Sequence, residues 1–441
     1  MVILSIDFGT SAVKLSLLSE DSRTLQWAKE EYPFMILPGE KNEMKPEDLW
    51  GALGRAAAKL DAELRDQVGL VCYDTFSPSP VFLDENGDPV YPNLITHLDR
   101  RSRAESADID RLIGNDKYLS ISGIYPFAGG CSAMTFYWFR KNEPWVYEKT
   151  ARIGHLPTYI HKKLTGEWMV DLVNASMMGV YETTTQGDWS DTVLDALGLE
   201  HKWFGKIYAP GTPHGQLLPE PAKLLGLHEG ITVCAGTNDV AAAQMGAGNE
   251  TAGRIMNTTG SSEMVSILTD RPVTNPHYYL RNAAIPGLWQ IYSTTAGGFA
   301  VDWFYKQFCR DMDKKTYFDE FVPHCIRTWL ADNPVTFTPY LSGDRQSLEK
   351  KTASWNGLTL GSTREQMFAA VLSAMQGVLR TTIEEAKEVL PLDPLIRISG
   401  GMATPTYLEL KKHEIPGFDY LIVDDCPILG NLALAKRAGA L

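Results

Sequence analysis

Asp7 and Asp239 are the residues whose surroundings suit phosphoryl chemistry. Asp7 ends the apolar run ILSID and stands just before the turn Gly9-Thr10-Ser11. A carboxylate there could hold Mg²⁺, usually through water. Glycine admits a close backbone approach, and neighbouring hydroxyls and amides form a concave nest for anionic oxygens, so the turn suits phosphate. Lys14 adds a positive charge nearby. The same pattern returns past the middle of the chain. ILSIDFGTSAVKLSLLSED (Ile3–Asp21) and IMNTTGSSEMVSILTD (Ile255–Asp270) each read as apolar strand, Gly/Thr/Ser turn, apolar strand. Two such hairpins facing each other predict a clamp on a polyphosphate, with Gly260, Ser261 and Ser262 as its second turn.

Asp239 follows the strand-like run Ile231–Cys234 and opens an Ala-rich helical stretch. Asn238 or Thr237 is expected to cap that helix, and the helix dipole would keep Asp239 ionised. Between two phosphate hairpins, such a carboxylate is placed to accept the proton of an alcohol during phosphoryl transfer. With an ordinary Asp pKa of ~3.9 the base would be weak, and proton transfer would lag behind cleavage of the bond to the leaving phosphate.

Strand-like runs alternate with amphipathic helices, which predicts an α/β fold. Pro46–Leu64 reads as a helix before the strand-like GLVCY. Ala209–Pro221, rich in Pro, Gly and His, reads as a surface crossing, and Gly246–Arg254 as a flexible joint. The domain boundary falls there, giving domains 1–247 and 248–441. In the second, LWQIYSTTAGG reads as a strand and turn, and a helix follows from about Gly298 to Cys309. Arg364–Leu390 is a long helix, with Met367, Val371, Leu372, Met375, Val378 and Leu379 on one face. The strand-like LIRIS then runs into the turn Gly400–Thr406.

The chain has 441 residues and is 44% hydrophobic, enough for two cores. A formal net charge of -13, with Lys and Arg scattered, argues against nucleic acid and anionic membrane as partners. No basic segment leads into an apolar signal core, and no apolar run approaches the ~18 residues of a membrane span, so a cytoplasmic protein is expected. The six cysteines lack Cys-x-x-Cys spacing and are read as reduced and mostly buried. A complete Gly-x-x-x-x-Gly-Lys-Ser/Thr loop, Gly-x-Gly-x-x-Gly, His-Glu-x-x-His and Gly-x-Ser-x-Gly are all missing, which disfavours P-loop ATPases, Rossmann dehydrogenases, metalloproteases and serine hydrolases.

Together, Asp7-Phe8-Gly9-Thr10-Ser11, Gly236-Thr237-Asn238-Asp239 with Ala241-Ala242, Gly260-Ser261-Ser262 and Gly400-Gly401 resemble the FGGY family of carbohydrate kinases. The match spans nearly the whole chain and keeps the order of the motifs. The resemblance implies an actin-like, ribonuclease H-type fold of two domains, with ATP and Mg²⁺ in the cleft and a small sugar or polyol as acceptor. It makes Asp7 the Mg²⁺-associated carboxylate, the two turns the phosphate hairpins and Asp239 the catalytic base. It also places Gly297, Gly298, Gly400, Gly401 and Met402 along the nucleotide. Pro339–Arg345 is similar to a further family segment, and homodimers are common in the family.

On the sugar side, Val81–Ser102 resembles the family segment that carries a Trp-x-Asp-x-Arg motif. That alignment makes Asp99 a ligand of substrate hydroxyls and Arg101 its support, with Ser77 and Asn238 beside the acceptor. His97 stands where the family usually has Trp. Ser77-Pro78 replaces the pair that contacts the sugar in xylulose or glycerol kinases. Competing readings are an actin- or chaperone-type ATPase and a sugar-binding sensor that has lost catalysis.

Overall fold

The computed structural model describes residues 1–341, 343 and 351–441. Two mixed sheets dominate, and they share one plan. The first begins with β1 (Val2–Phe8), β2 (Ala12–Ser19) and β3 (Thr24–Glu31), an antiparallel meander. On the other side of β1 lies β4 (Val68–Thr75) in parallel. Beyond β4 come β5 (Pro213–Gln216), β6 (Thr232–Cys234) and the short β7 (Thr237–Asn238), with β6 and β7 both parallel to β4. The second sheet repeats the plan with β8 (Ile255–Thr259), β9 (Glu263–Thr269), β10 (Tyr279–Asn282) and β11 (Trp289–Thr295), followed by β12 (Leu395–Ser399) and β13 (Asp419–Ile422). Strand order there is β10-β11-β9-β8-β12-β13: the β8–β9 hairpin is again flanked by parallel strands on the β8 side, while β11 rather than β10 pairs with β9. The duplicated hairpins of the sequence are β1–β2 and β8–β9.

β1 is apolar along its length because both faces are covered. Val2, Leu4, Ile6 and Phe8 face a core that holds Leu49, Ala52, Leu53 and Ala56 of helix α1 (Pro46–Ala58). Ile3 points the other way, onto Ile428, Leu432 and Ala435. The predicted helix over 46–64 ends at Ala58, and a separate short helix begins at Ala62, capped by Asp61. Residues 209–221 hold β5 and the start of a helix rather than a bare crossing.

The helices that follow α2 (Leu172–Met178) include α3 (Asp239–Gly246), α4 (Gly297–Phe308), α5 (Arg364–Val389) and α6 (Pro405–Glu414). A capping box between Thr363 and Gln366 starts α5, and Phe368, Val371, Leu372, Met375 and Leu379 bury its inner face. The final helix, α7 (Cys426–Arg437), returns to the first sheet, where Asn431 donates to Asp74. The sequence gap between these partners hides that return.

α3 and α7 cross between the two sheets. α3 packs Ala241 and Met245 against Val173, Met177, Ala284 and Ile285, and Ala243 against Met256. The crossing is close because of two glycines. A Cβ on Gly430 would lie 1.8 Å from Ala242 O, and one on Gly246 would lie 1.9 Å from Cys426 O. Gly430→Ala is therefore expected to force the helices apart and lower the melting temperature by several degrees. The control, Gly377→Ala on α5, meets nothing nearer than 3.9 Å and should hold or raise stability, since Ala is the better helix former. Equal melting curves for the two variants would contradict the close-crossing account.

Candidate active site

Parallel pairing brings the ends of β1, β4 and β7 to one edge. Asp7 lies opposite Asp74, and Asp74 opposite Thr237, so Asp239 follows two residues beyond. Asp74 was not singled out from the sequence, although GLVCYD ends in Asp just as ILSID does. The Asn238 side chain caps α3, accepting from the N–H groups of Val240 (3.1 Å) and Ala241 (3.3 Å). Its amide also donates to Asp239 Oδ1 at 2.8 Å, as does the Val240 N–H at 2.8 Å.

Three acids so close repel each other, and little water reaches them. Burial, then the charge of Asp7, pushes Asp239 up to about 7, despite the Val240 and Asn238 hydrogen bonds. Burial lifts Asp7 to about 6, against a hydrogen bond with Asp74 and then the pull of Lys14 and Lys29. Burial and the charges of Asp7 and Asp239 hold Asp74 well above the usual carboxylate range. The expectation of a weak, ordinary base at Asp239 is thus corrected: desolvation outweighs the helix terminus.

A cleft of about 200 Å³ is lined by Asp239, while Asp7 and Asp74 are not part of its lining. Its walls include Thr10 and Ser11 of the first turn, Gly260, Ser261 and Ser262 of the second, and Asn238 and Asp239 between them. Each turn is braced from behind. Gly9 N–H donates to Ala12 O at 3.0 Å, and the Tyr32 hydroxyl bonds both Gly9 O and Ala12 O. In the second turn, Gly260 N–H donates to Ser262 O at 3.0 Å. Gly298 N–H donates to Gly260 O at 3.0 Å, and Phe299 N–H to Ser261 O at 2.8 Å. Gly297 takes φ +49°, and a Cβ there would stand 2.3 Å from Glu263 N. Gly400 takes φ +112° against Thr259, and Met402 N–H donates to Thr259 O at 3.3 Å. Gly297, Gly298, Gly400 and Met402 thus touch the second hairpin from outside the cleft wall, and Gly401 adjoins them in the same turn.

The sugar-side residues divide. Ser77 lines the cleft and donates to Asn174 Oδ1 at 2.7 Å, in a buried chain that continues to His155. His97 also lines it, its ring 5.9 Å from Phe76. Asp99 and Arg101 do not. Asp99 accepts from Arg101 Nε, Arg101 Nη2 and Asn42 N–H, and Arg101 also pairs with Glu43. This buried cluster anchors the loop that presents His97. Lys14 pairs with Asp425, at the start of α7, rather than pointing alone into the cleft. Arg281 of β10, which sequence reasoning missed, reaches the cleft and donates to Gly130 O at 3.0 Å; its strand pattern carried no motif. In the segment similar to Pro339–Arg345, Ser342, Asp344 and Arg345 lie outside the described residues.

A profile described as the FGGY family of carbohydrate kinases, N-terminal domain, matches residues 2–246. The chain belongs to the FGGY family of carbohydrate kinases. It is a phosphotransferase with an alcohol group as acceptor, and ATP is the phosphate donor in this family. A xylulose kinase of Lactococcus lactis subsp. lactis (strain IL1403) is 25% identical over 422 residues, covering 93% of this chain and 82% of that protein. A gluconokinase of Bacillus licheniformis is 25% identical over 416 residues, covering 91% and 80%. The solved ligand-bound xylulose kinase from Lactobacillus acidophilus superposes with a TM-score of 0.86 at 19% identity, covering 100% of this chain and 89% of that one, which shows the two-domain actin-like fold. Family membership sets aside the chaperone-type reading. All six cysteines are free and buried, and no helix among the described residues is long and apolar enough to cross a membrane.

The Asp239 shift has two measurable consequences. If Asp239 serves as the base it must be ionised to act, and kcat/KM should then rise about tenfold per pH unit below ~7 and level off above it. A flat profile between about pH 5 and 8 would contradict a base of this character. Stability carries the opposite sign. The unfolded chain releases this proton near ~3.9 while the folded chain keeps it to about 7, so stability falls as pH rises through that window. Asp239→Asn should therefore raise the melting temperature near pH 8 and leave it unchanged near pH 4. The gain should be on the order of 1–3 kcal/mol, since part of the side chain still meets the cleft.

Proposed function

We propose that this protein is an ATP-dependent kinase of a small ketose, pentulose to heptulose, or of a polyol, with Asp239 as general base and Asp7 as the Mg²⁺-associated carboxylate. One observation carries the reading: Asp239, lifted to about 7, stands in a cleft walled by two matched phosphate turns. Similarity to a xylulose kinase over most of the chain supports a ketose acceptor.

The phosphates would lie between Thr10-Ser11 and Gly260–Ser262, whose backbones are braced from behind and need no reorganisation. Asp239 Oδ2 would orient the acceptor hydroxyl, because Oδ1 is occupied by the Asn238 amide and the Val240 N–H. It would then take the hydroxyl proton as the bond to phosphorus forms. His97, Ser77 and Asn238 would hold the rest of the acceptor, with Asp99 and Arg101 acting through the loop that carries His97. The donor set fits a hard divalent cation, since the buried carboxylates are only partly compensated, by Lys14 and Lys29 at Asp7 and by Arg281 at Asp239. Mg²⁺, when bound, neutralises phosphate charge. Among the described residues no group of three or more His, Cys, Asp or Glu is placed to hold a metal ion.

A panel of ketopentoses, ketohexoses, ketoheptoses and polyols, read by ADP release, tests the reading. At least one acceptor should stimulate ADP release strongly, and Asp239→Asn should cut that turnover by about 10²–10⁴-fold while leaving nucleotide binding near wild type. Sugar-dependent turnover of the variant near the wild-type level would reject the base assignment.

A further inference from the structure

The second phosphate turn and the Gly400–Met402 turn are joined twice. On the strand side, β8 pairs with β12, Thr258 opposite Ser399, and Met402 N–H reaches Thr259 O. The second junction is a polar cluster in the core behind the site. Glu263 follows Ser262 directly and is 0% exposed. It pairs with Lys411 of α6, also 0% exposed. Gln376 of α5 donates to Glu263 Oε2 at 3.0 Å and accepts from Lys411 Nζ at 2.5 Å. The Tyr407 hydroxyl donates to Glu263 Oε2 at 2.6 Å and accepts from Gln376 Nε2 at 2.9 Å.

The members share one geometric property. Glu263 is the first residue after the phosphate turn. Tyr407 and Lys411 lie on the helix that the Gly400–Thr404 turn feeds: Ala403 N–H bonds Gly400 O at 3.0 Å, and Thr404 caps α6 by accepting from Tyr407 N–H at 3.3 Å. Gly297, at the start of α4, presses on Glu263 N from the third side. An ion pair in an apolar core seldom stabilises a fold more than well-packed apolar side chains of the same volume would, because two charges must leave water. Fixing one geometry among several close alternatives is the better-attested use of such a pair.

We propose that Glu263 and Lys411 are positioning residues for the nucleotide: their buried pair, completed by Gln376 and Tyr407, sets the distance between the phosphate turn 260–262 and the turn 400–402. Neither residue touches substrate. The pair fixes where β9 begins relative to α6, so both arms of the site sit at one separation before nucleotide arrives. This inference rests on the kinase reading above, in which these two turns hold ATP.

MgADP binding by titration calorimetry, with the full chain and without any sugar, tests it. Single variants such as Lys411→Met strand a buried charge and risk misfolding, so the decisive variant is the double change Glu263→Leu with Lys411→Met, which removes both charges and keeps the volume. It should still fold cooperatively, since Gln376 and Tyr407 keep their bond to each other although each loses a partner, while Kd for MgADP rises at least about tenfold, about 1.4 kcal/mol. The polar exchange Glu263→Gln with Lys411→Gln, which can rebuild the hydrogen bonds to Gln376 and Tyr407, should recover most of the affinity. Once the acceptor is known, the apolar double variant should raise KM for ATP and leave KM for the acceptor within about twofold. A folded apolar double variant that binds MgADP like wild type overturns the inference while leaving the kinase reading intact. Wild-type protein that binds no MgADP overturns both.

Discussion

Crowding of buried carboxylates beside the cleft, where Asp239 alone of the three reaches its lining, is the constraint on which the rest of the site depends. Parallel pairing of β1, β4 and β7 leaves Asp7, Asp74 and the residue after Asn238 at one sheet edge, where their charges oppose one another and burial opposes all three. Such an arrangement costs stability unless something supplies positive charge. The scaffold supplies a little: the Asn431 amide on Asp74, the Val240 N–H on Asp239, and the Lys14 and Lys29 fields on Asp7. The elevated proton affinity of Asp239 follows from burial and from the neighbouring charge of Asp7 rather than from any special property of its side chain, and the proposed role as general base rests on it.

The two halves of the molecule answer this constraint differently. The first contributes the acids together with Ser77 and His97 on the cleft wall; the second contributes the opposing turn, braced by α4 and by the turn after β12. α3 and α7 cross between the halves on Gly246 and Gly430, and α7 belongs to the first sheet although it closes the chain. Motion of one half against the other therefore has to pass through two closely packed helices. Closure of that kind is how kinases exclude water from the transferring phosphate.

The hairpins were legible because their signal is local: apolar run, small-residue turn, apolar run, twice. Asp239 was legible for the same reason, as a helix-opening acid after Asn. Elements decided by partners distant in sequence were not. Asp74 looks like any strand-ending residue until β4 lies beside β1. Asp99 and Arg101 resemble a substrate-binding motif, yet Glu43 and the Asn42 N–H, more than fifty residues upstream, turn them into a buried clamp behind His97. Lys14 reads as a charge beside the first turn until α7 brings Asp425 to it. Helix lengths were right where a cap is written in sequence, as at Thr363, and wrong where a local stop intervenes, as at Asp61.

A crystal structure with a non-hydrolysable ATP analogue, Mg²⁺ and an acceptor tests the central claim most directly. The account predicts β- and γ-phosphates held between Gly9–Ser11 and Gly260–Ser262, with Asp239 Oδ2 within hydrogen-bonding distance of the acceptor hydroxyl. A triphosphate bound clear of either turn, or an acceptor hydroxyl remote from Asp239, would contradict it.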